Sequence, residues 1–144
     1  MVPKRILIVN PFGIGDVLFS TPLVRALHQA FPNSVIGYLC NRRTEGILRE
    51  NPYVHELFVY EKDEFLRLWR MSKSQSLGYL KPLLERIRQV RFDLAVDLSL
   101  GERYNLILRM FGVSRQVGFD DRRRGRFLTE RFPIDGYHDQ HVVE

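Results

Sequence analysis

The sequence predicts an α/β fold: a Rossmann-like, doubly wound, mainly parallel sheet. Short β-branched or apolar runs recur along the chain, "RILIVN", "SVIGYLC", "HELFVY", "DLAVDLS" and "RQVGF", each bounded by turn residues. Between several of them apolar residues follow helical spacing. Strands alternating with amphipathic helices need crossover connections, which place helices over both faces of a parallel sheet. The first run also leads into a turn with two closely spaced glycines, "NPFGIGDVLFSTP", at the end of the sheet where ligands gather.

The elements follow in order. "ILIV" is the first strand. Gly13 and Gly15 predict a tight turn, because glycine adopts backbone angles that other residues resist and lets another group approach the main chain. Asp16 then opens the first helix, whose inner face is Val24, Leu27 and Phe31. Pro22 lies inside this pattern, where proline deletes a hydrogen bond and clashes with the preceding turn, so a kink or restart is expected. "VIGYLC" is the second strand. "NPYV" ends the helix of "ILRE", since the residue before proline disfavours helical angles. After the strand "HELFVY", residues 61–79 read as a short helix followed by a Ser- and Gly-containing loop. Leu80, Leu83, Leu84, Ile87 and Val90 then form a helical stripe, with Lys81, Glu85, Arg86, Arg88 and Arg91 on the other face. In "DLAVDLS", Asp93 begins the strand and Asp97, at its carboxyl end, is expected to face a cleft. Tyr104, Ile107, Leu108 and Phe111 mark the next helix and "RQVGF" the fifth strand. The final "DGYHDQHVVE" reads as a fresh helix start, so the 144 residues are expected to be one domain, the first half of a two-domain protein.

A chain of 144 residues, 44% hydrophobic and 27% charged, suits one soluble globular domain. The net charge of +5 favours an anionic partner. Nucleic acid is not expected, because the arginine run in "DDRRRGRFLTE" lacks interleaved aromatics and no recognised binding motif accompanies it. A lone cysteine, Cys40, cannot form an internal disulfide and reads as a structural thiol in a reducing compartment. The N-terminal apolar run is broken at Asn10 and Pro11, too soon for a signal peptide. No stretch approaches the roughly 20 apolar residues of a membrane span. A cytoplasmic location is expected, with any membrane contact peripheral.

The glycine turn is neither of the two common phosphate-binding loops. Leu18 stands where a dinucleotide fingerprint needs its third glycine, and no Gly-Lys-Ser or Gly-Lys-Thr follows. Asp16 would repel a phosphate at that helix start. Two readings of Asp16 remain: a carboxylate capping the positive end of the helix, or a general base at the mouth of the sheet. In the second, the flanking glycines let an acceptor hydroxyl come close.

The strand, the "GIGD" turn, the "STP" step, the "RALHQAFP" helix end, the second strand and "NPYV" together resemble the opening of glycosyltransferase family nine, the ADP-heptose:lipopolysaccharide heptosyltransferases. "RFDLAVDLSLGERYNLILRMFGVSRQVGFD" resembles that family's fourth strand, following helix and fifth strand, and "DQHVVE" its entry into the interdomain region. The resemblance implies the acceptor-side, N-terminal domain of a GT-B enzyme, with the nucleotide-sugar domain lying beyond residue 144. It further implies inverting transfer of heptose from ADP-heptose to the lipopolysaccharide inner core, with Asp16 as the base. The 144 residues alone are then expected to be inactive. No cofactor or metal is implied, and the sequence has no D-x-D pair.

The implied acceptor, a Kdo-lipid A core, carries carboxylates and phosphates. Two basic clusters could hold it: Arg67, Arg70 and Lys73 in "FLRLWRMSK", and Arg124 within the run of Arg122, Arg123, Arg124 and Arg126. Arginine pairs bidentately with such groups, although charge runs are commonly solvated faces. Gly13 and Gly15 complete the expected acceptor-binding set. Such an acceptor implies peripheral contact with the cytoplasmic face of the inner membrane. His138, Asp139 and His141 read as a solvent-facing helix start rather than a metal site, and Trp69 as core or loop anchor rather than a sugar platform. The alternative to the enzyme is a free-standing, non-catalytic α/β module that binds an anionic ligand; fold analogy alone does not separate the two.

Overall fold

The apolar runs assemble into a six-stranded sheet with every neighbouring pair parallel, in the order β3-β2-β1-β4-β5-β6. The strands are β1 (Arg5–Val9), β2 (Val35–Cys40), β3 (Glu56–Val59), β4 (Leu94–Asp97), β5 (Arg115–Asp120) and β6 (Glu130–Pro133). This computed structural model describes residues 1–120 and 123–134. The helices are α1 (Ile14–Ala30), α2 (Glu45–Arg49), α3 (Lys62–Met71), α4 (Lys73–Val90) and α5 (Glu102–Met110), with a 3-10 turn at Arg42–Thr44.

Strand alternation sends side chains to two cores. Leu7, Val9 and Leu39 pack on one face with Ile87 of α4 and Leu108 of α5. Ile8, Ile36 and Tyr38 pack on the other with Val17 and Val24 of α1 and Leu48 of α2. Residues 6–9 of β1 are fully buried, as a central strand covered on both faces must be. The doubly wound, mainly parallel reading therefore holds, and the strand order is that of the Rossmann fold.

Several local expectations are corrected. α1 continues through Pro22 without a restart. Proline leaves the Leu18 carbonyl without its usual helical donor, and the Thr21 hydroxyl supplies one at 2.7 Å. The loop expected before residue 80 is helix from Lys73 onward. The Ser72 hydroxyl caps it by accepting from the Gln75 amide, and Ser76 turns its hydroxyl back to the Lys73 carbonyl. Serines that signal a loop in sequence here serve as cap and back-bond. β6 was not expected: all four of its residues are exposed, so it carries no apolar pattern. It is an edge strand tied on by the Arg115–Glu130 pair at 2.8 Å.

Candidate functional site

The chain winds from β1 to β2 to β3 on one side, then crosses through α3 and α4 to place β4 on the other side of β1. Ligands in such sheets bind beyond the strand carboxyl ends where the winding reverses. Here that point lies between the loop after Val9 and the loop after Asp97. The Leu98 amide donates to the Val9 carbonyl at 2.9 Å, fixing the two loops side by side.

Asp16 stands in the first turn of α1, exposed. Gly13 is the N-cap and offers no side chain, and no hydrogen bond to the Asp16 carboxylate occurs among the described residues. The side-chain cap is thus absent; what remains of the capping reading is the helix dipole. Gly13 and Gly15 adopt ordinary backbone angles, Gly13 extended at φ −76° and Gly15 helical, which corrects the expectation of a conformational need for glycine. Their distinction is space: a Cβ at either would meet nothing within 4 Å. Both leave open ground where a side chain would otherwise stand.

A buried polar network holds this turn. The Asn10 side-chain amide donates to the Asp16 carbonyl at 3.2 Å and to the Tyr38 hydroxyl at 3.0 Å. Asn41 donates to the Phe12 carbonyl at 2.6 Å from the end of β2. These contacts fix the backbone and leave the Asp16 side chain clear.

Next to the turn lies a cleft of about 620 Å³. Pro11 and Phe12 line one wall, Phe65 and Leu66 of α3 and Leu80 and Leu83 of α4 another, and Ser99, Leu100 and Gly101 a third. Lys62, Arg103 and Arg124 are the cations among its walls. Leu100 has φ 57°, a left-handed conformation uncommon for a bulky residue and typical of constrained functional loops. Tyr60 and Tyr104 meet edge to face, 6.0 Å between ring centres.

Of the expected site residues, Arg124 lines the cleft. Gly13, Gly15 and Asp16 are not among its lining residues; along the chain they follow Pro11 and Phe12, which are. Arg67, Arg70 and Lys73 do not line it: Arg67 pairs with Glu64 at 3.2 Å, and the Lys73 ammonium lies over the Trp69 ring, 5.6 Å from its centre. Trp69 is 43% exposed rather than core. Asp97 is buried at 2% exposure instead of facing the cleft. Asp93 ties the start of β4 to β1 by accepting from the Lys4 amide at 2.9 Å. Cys40 is fully buried, and burial pushes its thiol up to about 11, which makes it inert as a nucleophile at neutral pH. The His138, Asp139, His141 and Arg122 readings lie outside the described residues.

Lys62 and Arg103 were missed because each stands beside acidic neighbours, Glu61 and Asp63 for one and Glu102 for the other, so neither appears as part of a basic run. Only the topology brings them to one cleft.

No family model matches the chain. It is 24% identical over 127 residues to lipopolysaccharide heptosyltransferase 3 of Escherichia coli, covering 85% of this chain and 36% of that protein. The chain therefore spans about a third of the length of the curated relatives it matches. The E. coli heptosyltransferase WaaC, solved with ADP-2-deoxy-2-fluoro heptose, superposes with a TM-score of 0.80 at 19% identity, over 96% of this chain and 44% of that one. The glycosyl transferase family 9 structure from Veillonella parvula gives 0.76 at 23% identity, over 97% and 38%. The resemblance read from the sequence is thereby met twice: over nearly its whole length, this chain is similar to the lipopolysaccharide heptosyltransferases and shares the fold of family nine.

Proposed function

We propose that this chain is the acceptor-side domain of an inverting glycosyltransferase that moves heptose from ADP-heptose to the lipopolysaccharide inner core, with Asp16 as general base. One observation carries the reading: an exposed carboxylate at the sheet's reversal point, without a hydrogen-bond or ion-pair partner among the described residues, with a glycine on one side and another three residues before it, each leaving open space. The Asp16 carboxylate takes the proton of the acceptor hydroxyl, the oxygen attacks the anomeric carbon from the face opposite the diphosphate, and the bond to ADP breaks. Lys62, Arg103 and Arg124 hold acidic groups of the acceptor in the cleft. Arg67, Arg70 and Lys73 add positive field on the α3–α4 hairpin. A second domain binds the nucleotide, and its fixed donors meet the charge that develops on ADP. No metal is needed in this scheme, and the site works in the cytoplasm, where the acceptor is met at the inner membrane.

The test uses the protein that joins this chain to its donor-side domain, and measures ADP release from ADP-heptose with a deacylated core acceptor. Asp16→Asn and Asp16→Ala at matched stability are expected to lose roughly 100-fold or more in turnover with acceptor binding retained. Near-normal turnover would return Asp16 to a helix-dipole role. Acceptor binding without turnover in the unaltered protein would favour the non-catalytic binding module.

A further inference from the structure

Two phenols in the walls of the cleft have no partner among the described residues. Tyr60 directly follows β3, where its amide donates to the Cys40 carbonyl at 2.8 Å, and Tyr104 stands in the first turn of α5. Both are half-buried, line the cleft and pack on the core beneath it. The wall around them is apolar: the Phe65 ring centre lies 6.2 Å from that of Tyr60, and Leu66, Leu80 and Leu100 line the same space. Phenylalanine would supply the same ring packing there, so packing alone does not call for the two oxygens. Among the described residues no hydrogen bond reaches either hydroxyl, whereas Tyr38 is bonded to Asn10 and Ser20, and Tyr79 accepts from the Glu61 amide. Tyrosine hydroxyls withdrawn from water ordinarily find a partner. Burial pushes both hydroxyls above the ordinary 10.0, and the Arg103 guanidinium, also in the cleft wall, pulls each part of the way back. Each therefore keeps its proton at neutral pH and can donate as well as accept.

We propose that Tyr60 and Tyr104 are specificity-determining residues: their hydroxyls bond to hydroxyl groups of the saccharide acceptor, while Lys62, Arg103 and Arg124 take its acidic groups. The inference rests on the acceptor reading above and names the groups that tell a saccharide from any other anion. Ionised carboxylates and phosphates only accept, and cations serve them. A sugar hydroxyl donates and accepts, as a phenol does. The two rings come from different elements and meet edge to face, 6.0 Å between centres, so each is held against the other. A site built to bond a ligand hydroxyl rejects ligands that lack it more strongly than apolar contact can.

The test uses the protein that joins this chain to its donor-side domain and measures binding of the deacylated core saccharide by titration calorimetry, beside steady-state turnover. Tyr60→Phe and Tyr104→Phe remove only the two oxygens, to which no described residue bonds, so Tm should hold. Each is expected to weaken saccharide binding about tenfold, and the double variant about 100-fold, with the acceptor KM rising in step and kcat nearly unchanged. Asp16→Asn should show the reverse pattern, turnover lost and binding kept, so the two readings fail separately. Equal binding by the parent and the double variant would overturn this proposal and leave the base reading standing. A fall in Tm alongside the loss of binding would give the hydroxyls to the fold and overturn it too. A parent that does not bind the saccharide would overturn both readings.

Discussion

The Asn10 side-chain amide donates to the Tyr38 hydroxyl at 3.0 Å, and its other proton goes to the Asp16 carbonyl at 3.2 Å. The Tyr38 and Ser20 hydroxyls lie 2.6 Å apart. Since Ser20 spends its proton on the Val17 carbonyl at 2.7 Å, Tyr38 is the donor to Ser20. Each of these buried groups thus has a partner, and the chain of bonds runs from β2 to the first turns of α1. A satisfied buried network of this kind rigidifies what it joins. It holds the backbone of the candidate base without touching its carboxylate.

Tyr38→Phe keeps the ring in the core and deletes the shared hydroxyl. It leaves one Asn10 proton and the Ser20 oxygen short of a partner, at a cost of about 1–3 kcal/mol. The urea midpoint should fall with an unchanged slope. In a double-mutant cycle, Ser20→Ala and Tyr38→Phe should couple rather than add, since both delete the same bond.

Gly15→Ala tests whether the turn's glycines serve the fold or its visitor. Gly15 is helical and a Cβ there enters open space, so stability should hold or rise by up to about 1 kcal/mol. With the donor-side domain joined, the acceptor KM should nevertheless rise roughly tenfold, the equivalent of about 1.4 kcal/mol. A stable variant with unchanged KM would show that the open space is not used.

The first five strands and the Asp16 turn are legible in the sequence because each is a local pattern: short, largely buried apolar runs mark β1, β2 and β4, and closely spaced glycines mark the turn. What was not legible depends on chain meeting chain. Lys62 and Arg103 reach the cleft beside Arg124 through topology alone, and Asn10 with Tyr38 form a pair 28 residues apart. β6 carries no apolar alternation because it lies exposed at the sheet edge. The serines before residue 80 misled for a different reason: the same hydroxyl that favours a loop also caps a helix, and neighbouring packing decides.

Gly118→Ala should damage the fold. Gly118 lies opposite Asp97 across β4 and β5, and a Cβ there would sit 2.7 Å from the Asp97 carbonyl oxygen and 3.3 Å from Leu128. The oxygen belongs to a central strand and cannot swing away, so the strands must part. Overpacking of this kind costs about 1–3 kcal/mol. Thermal unfolding would register it as a drop in Tm; an unchanged Tm would mean that the sheet yields between β4 and β5.

Asp97 gives the stability curve a definite slope with pH. Burial pushes its carboxyl above the ordinary 3.8, and hydrogen bonds from Ser99 and Asn105 pull it only part of the way back. The folded chain therefore holds this proton to a higher pH than the unfolded chain does. Folding is favoured by the neutral carboxyl, and that contribution is lost as pH rises from about 3.8 through the raised value. Asp97→Asn keeps a carbonyl oxygen to accept from the Ser99 amide, a bond of 2.8 Å in the parent, and removes the titration. Its urea midpoint should exceed the parent's at neutral pH, with the gap closing as the pH is lowered toward about 4. A gap that stays constant with pH would show that Asp97 titrates normally, and a lower midpoint at every pH would show that the charged form is needed where it stands.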